Sequence, residues 1–169
     1  MLQFILWYLI ITILGLVAFP IAYHLLPGLS DRGYGLSRII GLLLWGYVYW
    51  LFGCLGFLKN DLGSLLIAFF AIVILSSWAF KRSNWAEIKG WFRSQWRTVV
   101  FVEALFLITF LLWTFIRSAN PEIVGTEKPM ELAFINAILR SPSFPPNDPW
   151  LSGYAISYYY FGYILVAMV

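Results

Sequence analysis

The side chains best suited to chemistry fall in one stretch. Between Arg117 and Trp150 stand Asn120, Glu122, Glu127, Lys128, Glu131, Asn136, Arg140, Asn147 and Asp148, and four of the chain's eight acidic residues are among them. Glu127 and Glu131 are four positions apart. If a helical turn starts before Pro129 they share one side of it, with Lys128 adjacent. Two carboxylates on one side can divide the work of general base and metal ligand, with Mg or Mn as the hard cation they would hold. Asp148 lies in Phe144-Pro145-Pro146-Asn147-Asp148-Pro149-Trp150, where proline fixes φ and restricts each preceding residue, so its carboxylate is expected to be held. Tyr158, Tyr159 and Tyr160 follow. On a helix three successive tyrosines spread over about 300°, so some hydroxyl must find a partner in protein or water. Read blandly, the acids solvate a loop and the tyrosines form an aromatic belt at a membrane surface.

The elements that position these residues are transmembrane. The 169 residues are 62% hydrophobic and 11% charged, with a mean hydropathy of +0.82, outside the range of soluble domains. Runs at roughly 3–26, 39–58, 62–80 and 98–116 each approach the 20 or so apolar residues a span needs, and a fifth is expected from near Trp150 to Val169. The fold class is therefore all-α, a polytopic bundle of about five spans. Residues 1–116 form a four-span part, 117–150 a loop with a short interfacial helix over 130–139, and 151–169 the last span. That span ends without a polar anchor, which predicts a longer chain whose remainder is a partner of this part. Pro20 falls inside the first run, and Gly41, Gly46, Gly53 and Gly56 give the second a stripe for close packing.

Charge sets the expected orientation. Lys81, Arg82, Lys89, Arg93 and Arg97 face a lone Glu87 in 81–97, which makes that segment cytoplasmic and the 117–150 loop extracytoplasmic. Trp85, Ile88, Trp91, Phe92 and Trp96 among those cations suit an amphipathic helix on an anionic leaflet. The same threading puts Arg32 and Arg38 in an inner loop, 27–38. The net charge of +3 is scattered and forms no basic face for nucleic acid. The single cysteine, Cys54, excludes an internal disulfide, and the single histidine, His24, reads as a membrane-boundary residue. Glu103, about five residues into the fourth run, is either interfacial or functional.

Gly125-Thr126-Glu127-Lys128-Pro129-Met130-Glu131, Phe144-Pro145-Pro146-Asn147-Asp148-Pro149-Trp150-Leu151-Ser152-Gly153-Tyr154 and Ser157-Tyr158-Tyr159-Tyr160-Phe161-Gly162 resemble the Chlor_Arch_YYY family, multi-span proteins of archaea and Chloroflexi. In that family an Asp often stands where this chain has Glu131. The wider layout is similar to the C-type glycosyltransferases, which use polyprenyl-phosphate-linked sugars. That resemblance implies Glu131 or Glu127 as base or metal-binding acid with Asp148 assisting, Glu131 and Asp148 as ligands of the divalent cation, and Lys128, Arg140 and the three tyrosines on the substrate. It implies a membrane lipid and a polyprenyl-phosphate sugar as partners. Two other readings stay open from the residues alone: a transporter in which Glu103 and the tyrosines line a path, and a noncatalytic scaffold.

Overall fold

A computed structural model describes residues 2–83, 85–125 and 127–169; Thr126 of the glycine-led motif and the Trp85 side chain lie outside the described residues. The described chain is helical, with α1 Leu2–Leu25, α2 Ser37–Cys54, α3 Leu62–Arg82, α4 Trp85–Ser94, α5 Trp96–Ala119, α6 Lys128–Arg140 and α7 Phe161–Ala167. Among the described residues α1, α2, α3 and α5 are long and apolar enough to cross a membrane. This is a polytopic helical membrane bundle. The chain beyond Trp150 departs from the expected fifth span: residues 150–160 are not helical, and α7 begins at Phe161. Asp148 N–H donates to the Tyr154 carbonyl and Ile156 N–H to that of Pro146, so 146–156 folds back on itself. Gly153 makes the bend at φ +85°, where a Cβ would be strained.

Two compact units divide the residues, and α2 and α3 contribute to both. The first comprises Met1–Leu42 and Ile72–Pro121. Its core joins Phe19 and Tyr23 of α1, Tyr34 of the following loop, and Ile88 and Trp91 of α4. The aromatic side of α4 thus packs into protein, where the sequence pattern had suggested a leaflet, and Glu87 accepts a hydrogen bond from Tyr23 at 3.0 Å. His24 Nε2 donates to the Ala79 carbonyl (2.8 Å) and lies 2.6 Å from the Ser83 hydroxyl.

Glu103 has two partners in this unit. Its Oε1 accepts from the Tyr34 hydroxyl at 2.7 Å, and its Oε2 from Arg38 Nη2 at 2.5 Å. Arg38 stands in the first turn of α2, buried, where the sequence had placed it at the end of the inner loop 27–38. Gly15 of α1 makes room for it, since a Cβ there would come within 2.6 Å of the Arg38 Cγ. Burial, with the bond to Glu103, pushes the Tyr34 phenol well above its ordinary range.

The second unit comprises Leu43–Ala71 and Glu122–Val169. Asn60, in the turn before α3, ties it together. Its Nδ2 donates to the carbonyls of Ile138 and Ser141 at 2.5 and 2.6 Å, and its Oδ1 accepts from Tyr49 at 2.6 Å. Asp61 Oδ1 then accepts from the Ser64 N–H in the first turn of α3, and that bond holds the carboxyl below its usual range. On α2, Gly46 faces Leu165 and Gly53 faces the ring of Phe144. A Cβ at Gly53 would overlap that ring, which is itself buried edge-on against Tyr49. Gly53→Ala is therefore expected to lower stability by about 1–3 kcal/mol, the range for overpacking. Thermal melts in detergent check this, and Gly53→Ala with Phe144→Leu should recover part of the loss. A melt unchanged by Gly53→Ala would mean the ring moves aside freely.

Candidate functional site

The candidate catalytic, substrate and metal residues, Glu127 to Tyr160, belong to the second unit, whereas Glu103 and Asn120 lie in the first. Helix α6 carries most of them. Its start is fixed by Pro129 just inside the first turn and by the Glu131 N–H bonding to the Glu127 carbonyl at 2.9 Å. The turn does begin before Pro129, so Glu127 and Glu131 lie on one side as their spacing suggested. The same side carries Phe134 and Ile138, the two buried residues of α6. Leu132 and Leu139 are exposed.

Phe134 gathers the aromatic residues of the later chain. It stacks on Tyr158 at 5.4 Å between centroids, meets Trp150 edge-on at 5.2 Å and tilts against Tyr163 at 5.5 Å. Tyr158 in turn stacks on Tyr159, centroids 3.9 Å apart, and donates a 2.6 Å hydrogen bond to its hydroxyl. That bond is the main reason the Tyr158 phenol is pushed up to about 12, and the negative charge of Glu127 adds to it. Burial raises the Tyr163 phenol above its ordinary value, and the charges of Glu131 and Glu127 add to this. The result is a surface of phenol rings bordered by two carboxylates, with Tyr159 75% exposed.

The tyrosine triplet divides its roles. Tyr158 and Tyr159 are displayed, whereas Tyr160 is half-buried and accepts a hydrogen bond from Trp50 of α2 at 3.2 Å. Tyr160 therefore fastens the segment to α2.

Arg140 and Asp148 stand elsewhere. Nine positions separate Glu131 from Arg140, about 180° around a helix of 3.6 residues per turn. Arg140 lines a separate cleft of about 370 Å³ with Asn136, Asn147 and Asp148. The rigid carboxylate anticipated at Asp148 is present: its Oδ1 accepts from the N–H groups of Trp150 and Leu151 at 2.8 and 2.9 Å. The structure thus brings Glu127 and Glu131 to Tyr158 and its neighbours, and Asp148 to Arg140, as two separate groups. Lys128 is exposed at the start of α6. No group of three or more His, Cys, Asp or Glu gathers among the described residues. Glu131 and Asp148, on opposite sides of α6, do not fit a shared Mg or Mn ion. Phe134 and Tyr163 were missed as site residues from sequence. Phe134, at helical spacing from both Glu131 and Ile138, was the available signal.

Four apolar helices, a loop helix and a tyrosine-rich surface define the class: a multi-span membrane protein with a polar, aromatic-lined loop region. Residues 44–169 match the family described as uncharacterized membrane protein (DUF2298), and the chain belongs to that family. No curated protein and no solved structure matches it.

Proposed function

We propose that this protein is part of a membrane transferase that takes a sugar from a polyprenyl-phosphate carrier, with the surface around Glu131 as the reacting site. The observation that carries the reading is the pair of carboxylates bordering a displayed stack of phenol rings. Ring faces suit the apolar face of a pyranose, and carboxylates accept hydrogen bonds from its hydroxyls. The resemblance of the loop motifs to Chlor_Arch_YYY proteins, and of the layout to C-type glycosyltransferases, supports the same reading by analogy of architecture. The cationic excess of 81–97 supports a cytoplasmic position for that segment and an extracytoplasmic one for 117–150.

In this reading Glu131 takes the proton from an acceptor hydroxyl. The acceptor oxygen bonds to the anomeric carbon, the bond from that carbon to the carrier phosphate breaks, and the phosphate leaves with the electron pair. Glu127 orients the sugar through its hydroxyls, and the Lys128 ammonium faces the departing phosphate. Membranes carrying the full chain, incubated with radiolabelled polyprenyl-phosphate hexoses, should release label from the lipid phase in proportion to protein. Release no greater than from membranes lacking the protein would overturn the reading for those donors.

A further inference from the structure

The cleft on the far side of α6 from Glu131 holds two opposite charges that do not pair. Arg140 and Asp148 both line it, and among the described residues no salt bridge joins them. Asp148 is held by the turn through Oδ1, which leaves Oδ2 uncommitted. Asn136 spends its Nδ2 on the Leu132 carbonyl, leaving its amide oxygen as an acceptor. A guanidinium seeks a phosphate or carboxylate in bidentate geometry, and a carboxylate with a nearby amide oxygen seeks an N–H donor cation. A ligand carrying one group of each kind would satisfy both ends at once. A cleft of about 370 Å³ is at the small end of ligand sites, sized for a headgroup rather than a whole lipid.

From this geometry we infer that the Arg140–Asp148 cleft binds a zwitterionic phosphoethanolamine group, phosphate to Arg140 and ammonium to Asp148. This site is independent of the transferase reading. Its source is either a phosphatidylethanolamine headgroup or a free phosphoethanolamine, which share the chemistry.

The test uses the full chain in maltoside micelles, titrated calorimetrically with O-phosphoethanolamine, phosphocholine, inorganic phosphate and ethanolamine. O-phosphoethanolamine should bind saturably. Phosphocholine, whose quaternary nitrogen has no N–H to give Asp148, should bind about tenfold or more weakly, and so should each half-ligand. Arg140→Gln and Asp148→Asn should each weaken O-phosphoethanolamine by a similar factor, with thermal melts confirming that both variants fold. If Asp148→Asn fails to fold, the comparison of the four ligands on the wild type still decides the matter. Native mass spectrometry from mixed-lipid micelles assigns the source: selective retention of phosphatidylethanolamine over phosphatidylcholine points to the lipid, and saturable binding of the free compound without retention points to a soluble ligand. Absence of saturable binding, or equal binding of phosphocholine and O-phosphoethanolamine, would overturn the inference.

Discussion

Replacing Glu103 by leucine should destabilise the detergent-solubilised protein by about 3 kcal/mol, the cost of leaving a membrane-buried arginine without its counter-charge. For a chain of this size that is a fall of roughly 6–12 °C in Tm. The expectation rests on asymmetry. The Arg38 side chain is only 8% exposed, against 31% for Glu103, so the cation is the member stranded when the pair is broken. Its Nε has no partner among the described residues, and the Phe106 ring beneath the guanidinium, 4.2 Å away, is a weak substitute for a carboxylate. The partial exposure of Glu103 puts the loss at the lower end of the range for buried pairs. Removing both charges, as Arg38→Met with Glu103→Leu, should return most of the stability, because an apolar pair of similar volume avoids the desolvation that the ions suffer. A single variant as stable as wild type would show that water reaches Arg38. A double variant no better than the single would show that Tyr34, deprived of its acceptor, carries the loss instead. The pairing also weakens the transporter reading, in which Glu103 would serve a path through the membrane, since both of its oxygens already accept protein donors.

The history of Glu103 shows where the sequence was and was not legible. Hydropathy located the four spans to within a few residues, because a run of apolar side chains long enough to cross hydrocarbon has few alternatives to being a helix. The partner of an intramembrane acid is a different matter. Arg38 lies 65 positions away and sits just where a loop was expected to end, so nothing local marked it. The fifth run failed for the opposite reason. Trp150, Leu151, Tyr154, Ile156 and the tyrosines count as apolar, but Asn147-Asp148-Pro149 and Ser152-Gly153 are turn formers, and here the backbone obeyed the turns. At the site, the four-residue spacing of Glu127 and Glu131 was enough to put them together, since it needed only local helix geometry. The grouping of Asp148 with them was not: the path of the loop after Ser141 decides which side of α6 it reaches, and that path is set by contacts such as the Asn147 N–H on the Ser141 hydroxyl, 2.8 Å.

In the label-release assay, Glu131→Gln should lower the rate by about 10²–10⁴-fold, the usual contribution of a positioned general base, while the protein reaches the membrane in normal amount. Glutamine keeps the volume and the hydrogen-bonding reach of the side chain and removes only its capacity to take a proton. Because Glu131 is exposed and makes no ion pair among the described residues, stability should be indifferent to the change. Glu131→Asp separates chemistry from position. It restores the charge on a shorter arm, and the resembled family often has Asp at this place, so it should keep the rate within about tenfold of wild type, a misplacement penalty rather than the loss of a base. Glu127→Gln should act differently, chiefly raising KM, because in this reading Glu127 holds sugar hydroxyls equally in the ground and transition states. Were Glu131→Gln to release label at the wild-type rate, the base would have to be sought elsewhere, and Glu127, on the same side of α6 and bearing on the same tyrosines, would be the first residue to test.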